Sequence, residues 1–300
     1  MEEEALRWVE AHVARAGPVE LVHDKPWSRV WRVPLAASGA AWFKACAPIQ
    51  AFEPALTAAL HRRWPDRVVE LVAHDIERAW LLLADAGTPV GAFGNAPEAW
   101  LAALPRYAEL QREEARHLGE HLDAGVTDRR LALLPALYDD MLARDLPLDT
   151  EEMDGLSRIA PAFAQRCAAL AGSVPETIEH SDLHLANVYA KGGRILFVDW
   201  GDTAVAHPFF SLARADDEWD DRARAAYLEP WGPGLEAVLE QALPVGSFVY
   251  AFGFLRLLDH LDGAERDPYR AFLPRILRRA YERWTSAFSS TSTRRGFEPS

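Results

Sequence analysis

The chain has 300 residues, of which 49% are hydrophobic and 26% are charged, proportions that suit a soluble globular enzyme with a sizeable core. Its two cysteines, Cys46 and Cys167, stand too far apart to indicate a disulfide framework or a zinc knuckle, and they favour a reducing compartment. The net charge of −13 argues against a nucleic-acid partner, because such proteins need cationic surface to neutralise phosphate. There is no basic N-terminal region before an apolar run, and Arg256 interrupts the longest apolar stretch, residues 245–258, so we expect a cytoplasmic protein without a membrane partner.

The first ninety residues have the pattern of a small lobe that contains a sheet. Residues 2–16 predict a helix, because acidic residues precede an apolar stripe at helical spacing and Gly17 ends it. Short runs rich in β-branched and aromatic residues then alternate with turn-prone segments, which predicts antiparallel strands. These strands cover residues 19–22, 29–33, 41–46, 68–73 and 79–84, with a helix at 54–64.

The rest of the chain predicts helices around one embedded hairpin. Helical spacing of apolar residues runs from residue 96 to residue 170, and we expect breaks at four prolines: Pro105, Pro135, Pro147 and Pro161. Two strand-like runs, 187–190 and 195–199, flank a Gly-Gly turn and predict a β-hairpin. Helical spacing then returns as far as residue 286.

This order of elements predicts an α+β fold with two lobes rather than a doubly wound sheet. We expect residues 1–90 to form the small lobe, residues 91–288 to form a large helical lobe, and residues 289–300 to be a disordered tail.

The segment that carries chemistry begins at His180 and reads His-Ser-Asp-Leu-His-Leu-Ala-Asn, and Asp199 lies 12 residues beyond its last residue, Asn187. Phosphoryl transfer needs a carboxylate to accept the proton of the attacking hydroxyl, and oxygen ligands to hold Mg²⁺ against the phosphates. Asp182, Asn187 and Asp199 are of the right types for these tasks. The predicted hairpin brings all three to one edge, because Asn187 begins its first strand and Asp199 ends its second.

This motif set resembles the aminoglycoside-phosphotransferase and choline-kinase-like branch of the protein-kinase-like superfamily, which has a His-x-Asp-x-x-x-x-Asn loop and a later aspartate that binds metal. The resemblance implies a bilobal protein-kinase-like fold and a small-molecule kinase that transfers the γ-phosphate of ATP or GTP to a hydroxyl. It implies that Asp182 is the catalytic base, that His180 braces the loop, and that Asn187 and Asp199 bind Mg²⁺. The small lobe would then bind the nucleotide, and the large lobe would hold the acceptor.

The resemblance also assigns residues of the small lobe to the nucleotide. Lys44 would hold the α- and β-phosphates, and Glu53, nine residues later, would form its ion pair. Trp42 lies two residues before Lys44, hence on the same strand face, and would stack on the purine; a half-buried core tryptophan is the alternative. Two further candidates are Ser28, in a turn without the usual glycine-rich motif, and Asp85, at the end of the expected hinge.

The chain departs from the family pattern at two places within the large lobe. Ser181 stands where relatives usually have a glycine, and Ser211 stands where they often have an aspartate. The region that would hold the acceptor is therefore the part that the resemblance covers least.

An acidic segment follows Asp199 in the chain and suggests a charge for the acceptor. Carboxylates interleaved with aromatic residues would favour an amine-bearing, hydroxylated ligand such as an aminoglycoside or an amino sugar. A solvated helix face is the alternative interpretation of the same pattern. The candidate acceptor residues are Asp216, Asp217, Glu218 and Trp231.

Other functions fit parts of the sequence. A metal-dependent hydrolase would use His180, Asp182 and His184 as zinc ligands, but it leaves Asn187 and Asp199 without a role. A nucleotide-binding pseudokinase or regulatory module would keep the nucleotide site without turnover, although every catalytic position is filled. The plainest alternative is that both histidines only pack and that Asp199 caps a turn.

Overall fold

The first lobe is built on one antiparallel sheet. The computed structural model describes residues 1–93, 97–214 and 219–292. The sheet has five strands: β1 (Glu20–Lys25), β2 (Ser28–Pro34), β3 (Ala40–Cys46), β4 (Leu71–Asp75) and β5 (Trp80–Ala84). Their order across the sheet is β1-β2-β3-β5-β4, and each neighbouring pair is antiparallel.

Two helices of this lobe pack into two different cores. The helix α1 (Glu3–His12) packs Ala5 and Val9 into a small core on one face of the sheet, together with Phe43 of β3. The helix α2 (Glu53–Arg63) instead contributes Leu56 and Leu60 to the main core of the second lobe. Because side chains alternate along a strand, Lys44 faces away from the α1 core.

The second lobe is mainly helical, and its core is continuous with α2. It contains α3 (Pro97–Glu114), α4 (Leu118–Asp123), α5 (Leu134–Leu142), α6 (Thr150–Leu170), α7 (Asp221–Leu228), α8 (Glu236–His260), α9 (Gly263–Arg270) and α10 (Leu273–Ser292). A capping box of Asp149 and Glu152 fixes the start of α6, since each side chain accepts a hydrogen bond from the backbone N–H of the other. The predicted α+β class and the bilobal arrangement are confirmed.

Two small sheets lie inside the larger lobe. The predicted hairpin is present as β9 (Val188–Lys191) and β10 (Arg194–Phe197), with Gly192 and Gly193 at φ angles of 57° and 78° in the turn, and β6 (Thr88–Pro89) adds to its edge. A second sheet of order β7-β11-β8 was not predicted, because its strands have only two or three residues: β7 (Thr127–Asp128), β8 (Thr177–Glu179) and β11 (Ala204–Ala206).

Several predicted boundaries are wrong at single elements. Pro105 lies inside α3 and Pro161 inside α6, so neither proline ends a helix. Burial of side chains on the inner faces of these helices stabilises them by more free energy than the loss of one hydrogen bond at each proline costs. The helix α1 ends at His12, and α10 continues to Ser292, four residues into the segment expected to be a disordered tail.

The helix α8 is long and apolar enough to cross a membrane by length and composition alone. However, 67% of its most apolar 18-residue window is buried inside the protein. Its buried residues, among them Phe248 and Phe252, belong to the main core. The burial pattern is that of a core helix.

The second lobe holds the C-terminal end of α2 through one buried carboxylate. Glu114, at the end of α3, is fully buried and accepts hydrogen bonds from Arg63 (Nη2 at 2.6 Å), Trp64 (Nε1 at 2.6 Å) and His121 (Nε2 at 2.8 Å). Burial alone would raise the pKa of Glu114, but the donors outweigh it and lower the pKa to about 2. Glu114 therefore ties the first lobe to the second as a charged group.

We expect Glu114→Gln to lower the free energy of unfolding at pH 7 by about 3 kcal/mol, because the half-buried guanidinium of Arg63 loses its buried carboxylate partner and keeps only the exposed Glu120. A carboxylate whose pKa is depressed by folding stabilises the protein fully above its ordinary pKa of 4.5, and this contribution is lost as the pH falls towards 2. Urea titrations should therefore show a difference between wild type and variant that shrinks from pH 5 downwards. A difference that stays constant with pH would contradict the charged role of Glu114.

Candidate active site

The ammonium group of Lys44 lies between two carboxylates from different parts of the fold. Its Nζ is 2.6 Å from Oε2 of Glu53, the first residue of α2, and 2.6 Å from Oδ1 of Asp199, which follows β10. Lys44 and Glu53 are almost fully buried, whereas about half of the Asp199 side chain is exposed. The ion pairs of Lys44 thus connect strand β3 with helix α2 and with the segment after the hairpin.

The electrostatics of this cluster keep Lys44 positively charged. Burial alone would lower the pKa of Lys44, but the charges of Asp199 and Glu53 outweigh it and raise the pKa well above its ordinary value. Burial works the other way on Asp199 and would raise its pKa, but the charge and hydrogen bond of Lys44 lower it. Asp199 is therefore an anion that faces a cavity, next to a permanent cation.

This cavity has a volume of about 280 Å³ and lies between the small sheet and the hairpin. It collects six of the residues predicted for the nucleotide and its metal: Ser28, Trp42, Lys44, Glu53, Asp85 and Asp199. Apolar residues that the sequence did not single out complete its walls, among them Val30, Val69 and Leu83. Such a combination of apolar walls and a few converging charges is typical of a small-molecule site.

The loop that begins at His180 is fixed to the segment before Asp199. His180 is fully buried, its Nε2 lies 3.0 Å from the carbonyl oxygen of Val198, and its ring packs at 4.8 Å from that of Trp200. Its backbone N–H donates to the hydroxyl of Tyr107 at 3.0 Å. These contacts give His180 the geometry of a brace between the two segments.

Ser181 adopts a left-handed backbone conformation with a φ angle of 62°. Such a conformation is unfavourable for a residue with a Cβ atom. The buried carboxylate of Glu179 holds it in place, because Oε1 accepts from the Ser181 N–H at 2.7 Å and Oε2 accepts from its hydroxyl at 2.6 Å. The contacts of Glu179 therefore stabilise a backbone conformation that glycine adopts without strain.

Asp182 lies beyond this turn, at the wall of a second cavity, and is partly exposed. Its Oδ2 accepts a hydrogen bond from Nδ2 of Asn187 at 3.2 Å, and Nε2 of His184 lies 3.3 Å away. Its Oδ1 is 2.5 Å from Nε of Arg214. These three residues hold both oxygens of Asp182, and the partly exposed carboxylate lines the cavity, where a ligand hydroxyl could reach it.

Asn187 and Asp199 have the oxygen atoms that a hard divalent cation takes as ligands. With Nδ2 of Asn187 donating to Asp182, its amide oxygen is left as a ligand, and Asp199 has a second carboxylate oxygen beyond the one that Lys44 contacts. Oxygen ligands of this kind suit Mg²⁺, which usually keeps further waters and phosphate oxygens in its shell.

The geometry does not favour the zinc-hydrolase alternative. Nε2 of His180 points to a backbone carbonyl, away from Asp182 and His184, so these three side chains form no common ligand set. Within residues 1–93, 97–214 and 219–292, no group of three or more histidine, cysteine, aspartate or glutamate side chains is arranged to hold a metal.

Not all predicted site residues come together. Asp216, Asp217 and Glu218 lie outside the described residues, and Trp231 packs on Phe209, away from both cavities. The second cavity contains charged residues that the sequence analysis did not identify: Arg129, Asp202, Arg214 and Arg256. Of these four residues, only Arg256 is conspicuous in the sequence, because it is a charged residue within an apolar stretch.

We expect Ser181→Gly to be more stable than Ser181→Ala by about 1 kcal/mol, because both variants lose the hydroxyl and only alanine keeps the strained Cβ. At an ordinary backbone position the order would be reversed, since glycine costs more entropy on folding. Urea-unfolding midpoints of the two variants give the sign directly. If alanine is the more stable substitution, Ser181 does not adopt the left-handed conformation.

Comparisons with known proteins agree with this geometry at the level of the fold. No family model matches the chain, and no curated protein sequence matches it. Among solved structures, it is similar to an aminoglycoside 2′-phosphotransferase-IIIa in its GDP complex, with a TM-score of 0.66, 11% identity and coverage of 93% of this chain and 99% of that one. It is also similar to a macrolide 2′-phosphotransferase type I, with a TM-score of 0.62, 15% identity and coverage of 90% and 95%.

A third similar structure is a choline/ethanolamine kinase family protein from Mesorhizobium loti, with a TM-score of 0.58, 16% identity and coverage of 93% of this chain and 98% of that one. These identities are too low to carry a substrate from one protein to another. The chain has the kinase-like fold shared by aminoglycoside phosphotransferases, macrolide phosphotransferases and choline kinases.

Proposed function

We propose that the protein is a small-molecule kinase that transfers the γ-phosphate of a nucleoside triphosphate, ATP or GTP, to a hydroxyl group. The observation that carries the proposal is the contact of Asn187 with residues of two cavities. One cavity contains Lys44, Glu53 and Asp199, and the other contains Asp182. Nδ2 of Asn187 donates to Asp182 at 3.2 Å, and its backbone oxygen accepts from the N–H of Val198, next to Asp199, at 3.1 Å. Positioning and charge stabilisation of this kind account for most of the catalysis in phosphoryl transfer.

In the proposed reaction the acceptor hydroxyl gives its proton to the carboxylate of Asp182. The acceptor oxygen forms a bond to the γ-phosphorus, and the bond between that phosphorus and the bridging oxygen breaks, so that the nucleoside diphosphate leaves with the bond's electrons. Lys44 would neutralise charge on the phosphates that stay with the diphosphate, and Glu53 would keep its ammonium in place. Mg²⁺, if held by Asn187 and Asp199, would neutralise charge on the phosphate oxygens.

Two further expectations from the sequence concern an alternative function and the location of the protein. A pseudokinase or regulatory module is the second candidate, and the full set of filled positions favours a working enzyme over it. A cytoplasmic enzyme fits the composition and the two unpaired cysteines, Cys46 and Cys167.

The expected amine-bearing acceptor has less support than the phosphoryl transfer itself. It rests on Asp216, Asp217 and Glu218, which lie outside the described residues, and on Trp231, which lines neither cavity. The proposal therefore extends to a hydroxyl acceptor and does not depend on an amine.

Replacing Asp182 tests the proposal, because the loss of the base should lower the rate of phosphate transfer without changing nucleotide binding. Asp182→Asn should lower kcat by about 10²- to 10⁴-fold, because the amide accepts no proton. Affinity for the Mg²⁺-nucleotide, measured by calorimetry, should stay within about twofold of the wild-type value, since Asp182 lies in the other cavity.

A matched control is Asp139→Asn, which makes the same change at an exposed position in α5 and should alter neither quantity. Near-normal turnover in Asp182→Asn would contradict its role as the base. Nucleotide binding by the wild-type protein without any phosphate transfer would favour the pseudokinase.

A further inference from the structure

The cavity beside Asp182 is where the proposed reaction would hold its acceptor, and its lining differs from the acidic one expected from the sequence. Its volume is about 330 Å³, enough for a small hydroxylated molecule. Three arginines and two aspartates line it, together with apolar and aromatic walls. These charged residues are Arg129, Arg214, Arg256, Asp182 and Asp202.

Arg129 is an almost completely buried guanidinium at the base of this cavity, with an exposed fraction of 5%. It follows β7, and its backbone N–H donates to the carbonyl oxygen of Val205 in β11 at 2.8 Å, so the small sheet fixes where its side chain starts. Helix α8 leaves room for the guanidinium at Gly253, because a Cβ there would lie 3.0 Å from Nη2 and 3.1 Å from Nη1. The fold therefore accommodates a cation at this place.

Arg256 is the second guanidinium of the cavity, one helical turn along α8 from Gly253. Its Nη2 donates to the backbone oxygen of Ile49 at 2.9 Å, and this hydrogen bond joins α8 to the first lobe. That bond satisfies one donor with a neutral group and leaves the positive charge without a matching anion.

Neither guanidinium has a carboxylate hydrogen-bond partner among the residues that the structure describes. The nearest acids have other partners: Glu179 accepts from Ser181, and Asp202 accepts from Nε2 of Gln50 at 3.3 Å. Burial lowers the pKa of Arg129 to about 10, an effect that Glu179 and Asp202 oppose only in part and that the charge of Arg256 strengthens.

Two neighbouring cations at the wall of one cavity, which Glu179 and Asp202 compensate only in part, favour an anion there. A buried guanidinium without a counter-ion is costly, and an oxyanion is the ligand whose planar or tetrahedral oxygens match its donors. Arg214 does not change this balance, because its guanidinium pairs with Asp182 and lies 5.3 Å from the ring centre of Tyr250.

We propose that the phosphate acceptor is a hydroxyl compound that carries an oxyanion, a carboxylate or a phosphate, and that Arg129 and Arg256 bind this group and so orient the hydroxyl towards Asp182. The inference rests on the proposed kinase function and gives the acceptor a charge opposite to that of an aminoglycoside. Apolar parts of the acceptor would pack on Tyr250 and Phe254, which line the same cavity.

The test uses pairs of acceptors that share a skeleton and differ in charge: hydroxy acids against their amides, sugar acids and sugar phosphates against the parent sugars, and aminoglycosides as cationic compounds. Release of nucleoside diphosphate above the rate without acceptor measures transfer, and the rise in unfolding temperature measures binding. The anionic member of a pair should bind and react, and the carboxylate and phosphate arms identify which oxyanion is preferred.

Two variants connect this preference to the arginines. Arg129→Gln and Arg256→Gln should each raise KM for the anionic acceptor by about 10- to 100-fold, the loss expected for a charge-assisted hydrogen bond, with a smaller change in kcat and unchanged nucleotide affinity. Arg256 is only partly buried, so its variant carries the test if Arg129→Gln does not fold. Arg144→Gln, which removes an arginine paired with Asp259 outside the cavity, is the matched control and should leave KM unchanged.

Preferential transfer to neutral or cationic acceptors would overturn the inference and leave the kinase function standing. The inference is equally overturned if the anionic compounds neither bind nor react, or if both arginine variants keep the wild-type KM. The Asp182→Asn experiment tests the kinase function separately, through nucleotide turnover.

Discussion

The buried ammonium of Lys44 is the interaction on which the rest of the site depends. It neutralises Glu53 at the start of α2 and Asp199 after the hairpin, so a strand, a helix and a loop are held by one charge. Burial and the charge of Asp199 raise the pKa of Glu53, and Lys44 opposes this rise. The same ammonium faces the cavity between the small sheet and the hairpin. The charge that holds these elements together is thus also the charge that the proposed chemistry requires.

Polar contacts at both ends of α2 add to the apolar packing of Leu56 and Leu60 in holding the two lobes together. Glu114 accepts hydrogen bonds from Arg63 and Trp64 at the C-terminal end of α2. Arg256 donates to Ile49, which lies just before the N-terminal end of α2. The hinge packs closely on the hairpin, because Gly87 has a φ angle of 93° and a Cβ there would lie 2.4 Å from the carbonyl oxygen of Ala190. The positions of both cavities relative to each other follow from these contacts.

The sequence predicted the parts of the site that lie close together in the chain or follow a strong pattern. The Gly-Gly turn predicted the hairpin, and strand alternation placed Trp42 and Lys44 on one face. It did not predict the sheet β7-β11-β8, whose strands are too short for a periodic signal, and so it missed the position of Arg129. A single arginine in an otherwise ordinary segment carries no sign of burial until distant segments meet around it. The acidic run at residues 216–218 suggested a cationic acceptor, whereas the described lining of the cavity is rich in arginine.

The central claim is that the protein couples loss of the γ-phosphate to formation of a phosphate monoester, and ³¹P NMR tests it most directly. The purified protein is incubated with ATP or GTP, Mg²⁺ and the hydroxylated acceptors, and the phosphorus resonances are followed with time. We expect a new phosphomonoester resonance that grows in equal amount with the nucleoside diphosphate and only when an acceptor is present. Release of inorganic phosphate alone, at the same rate with and without acceptors, would contradict it.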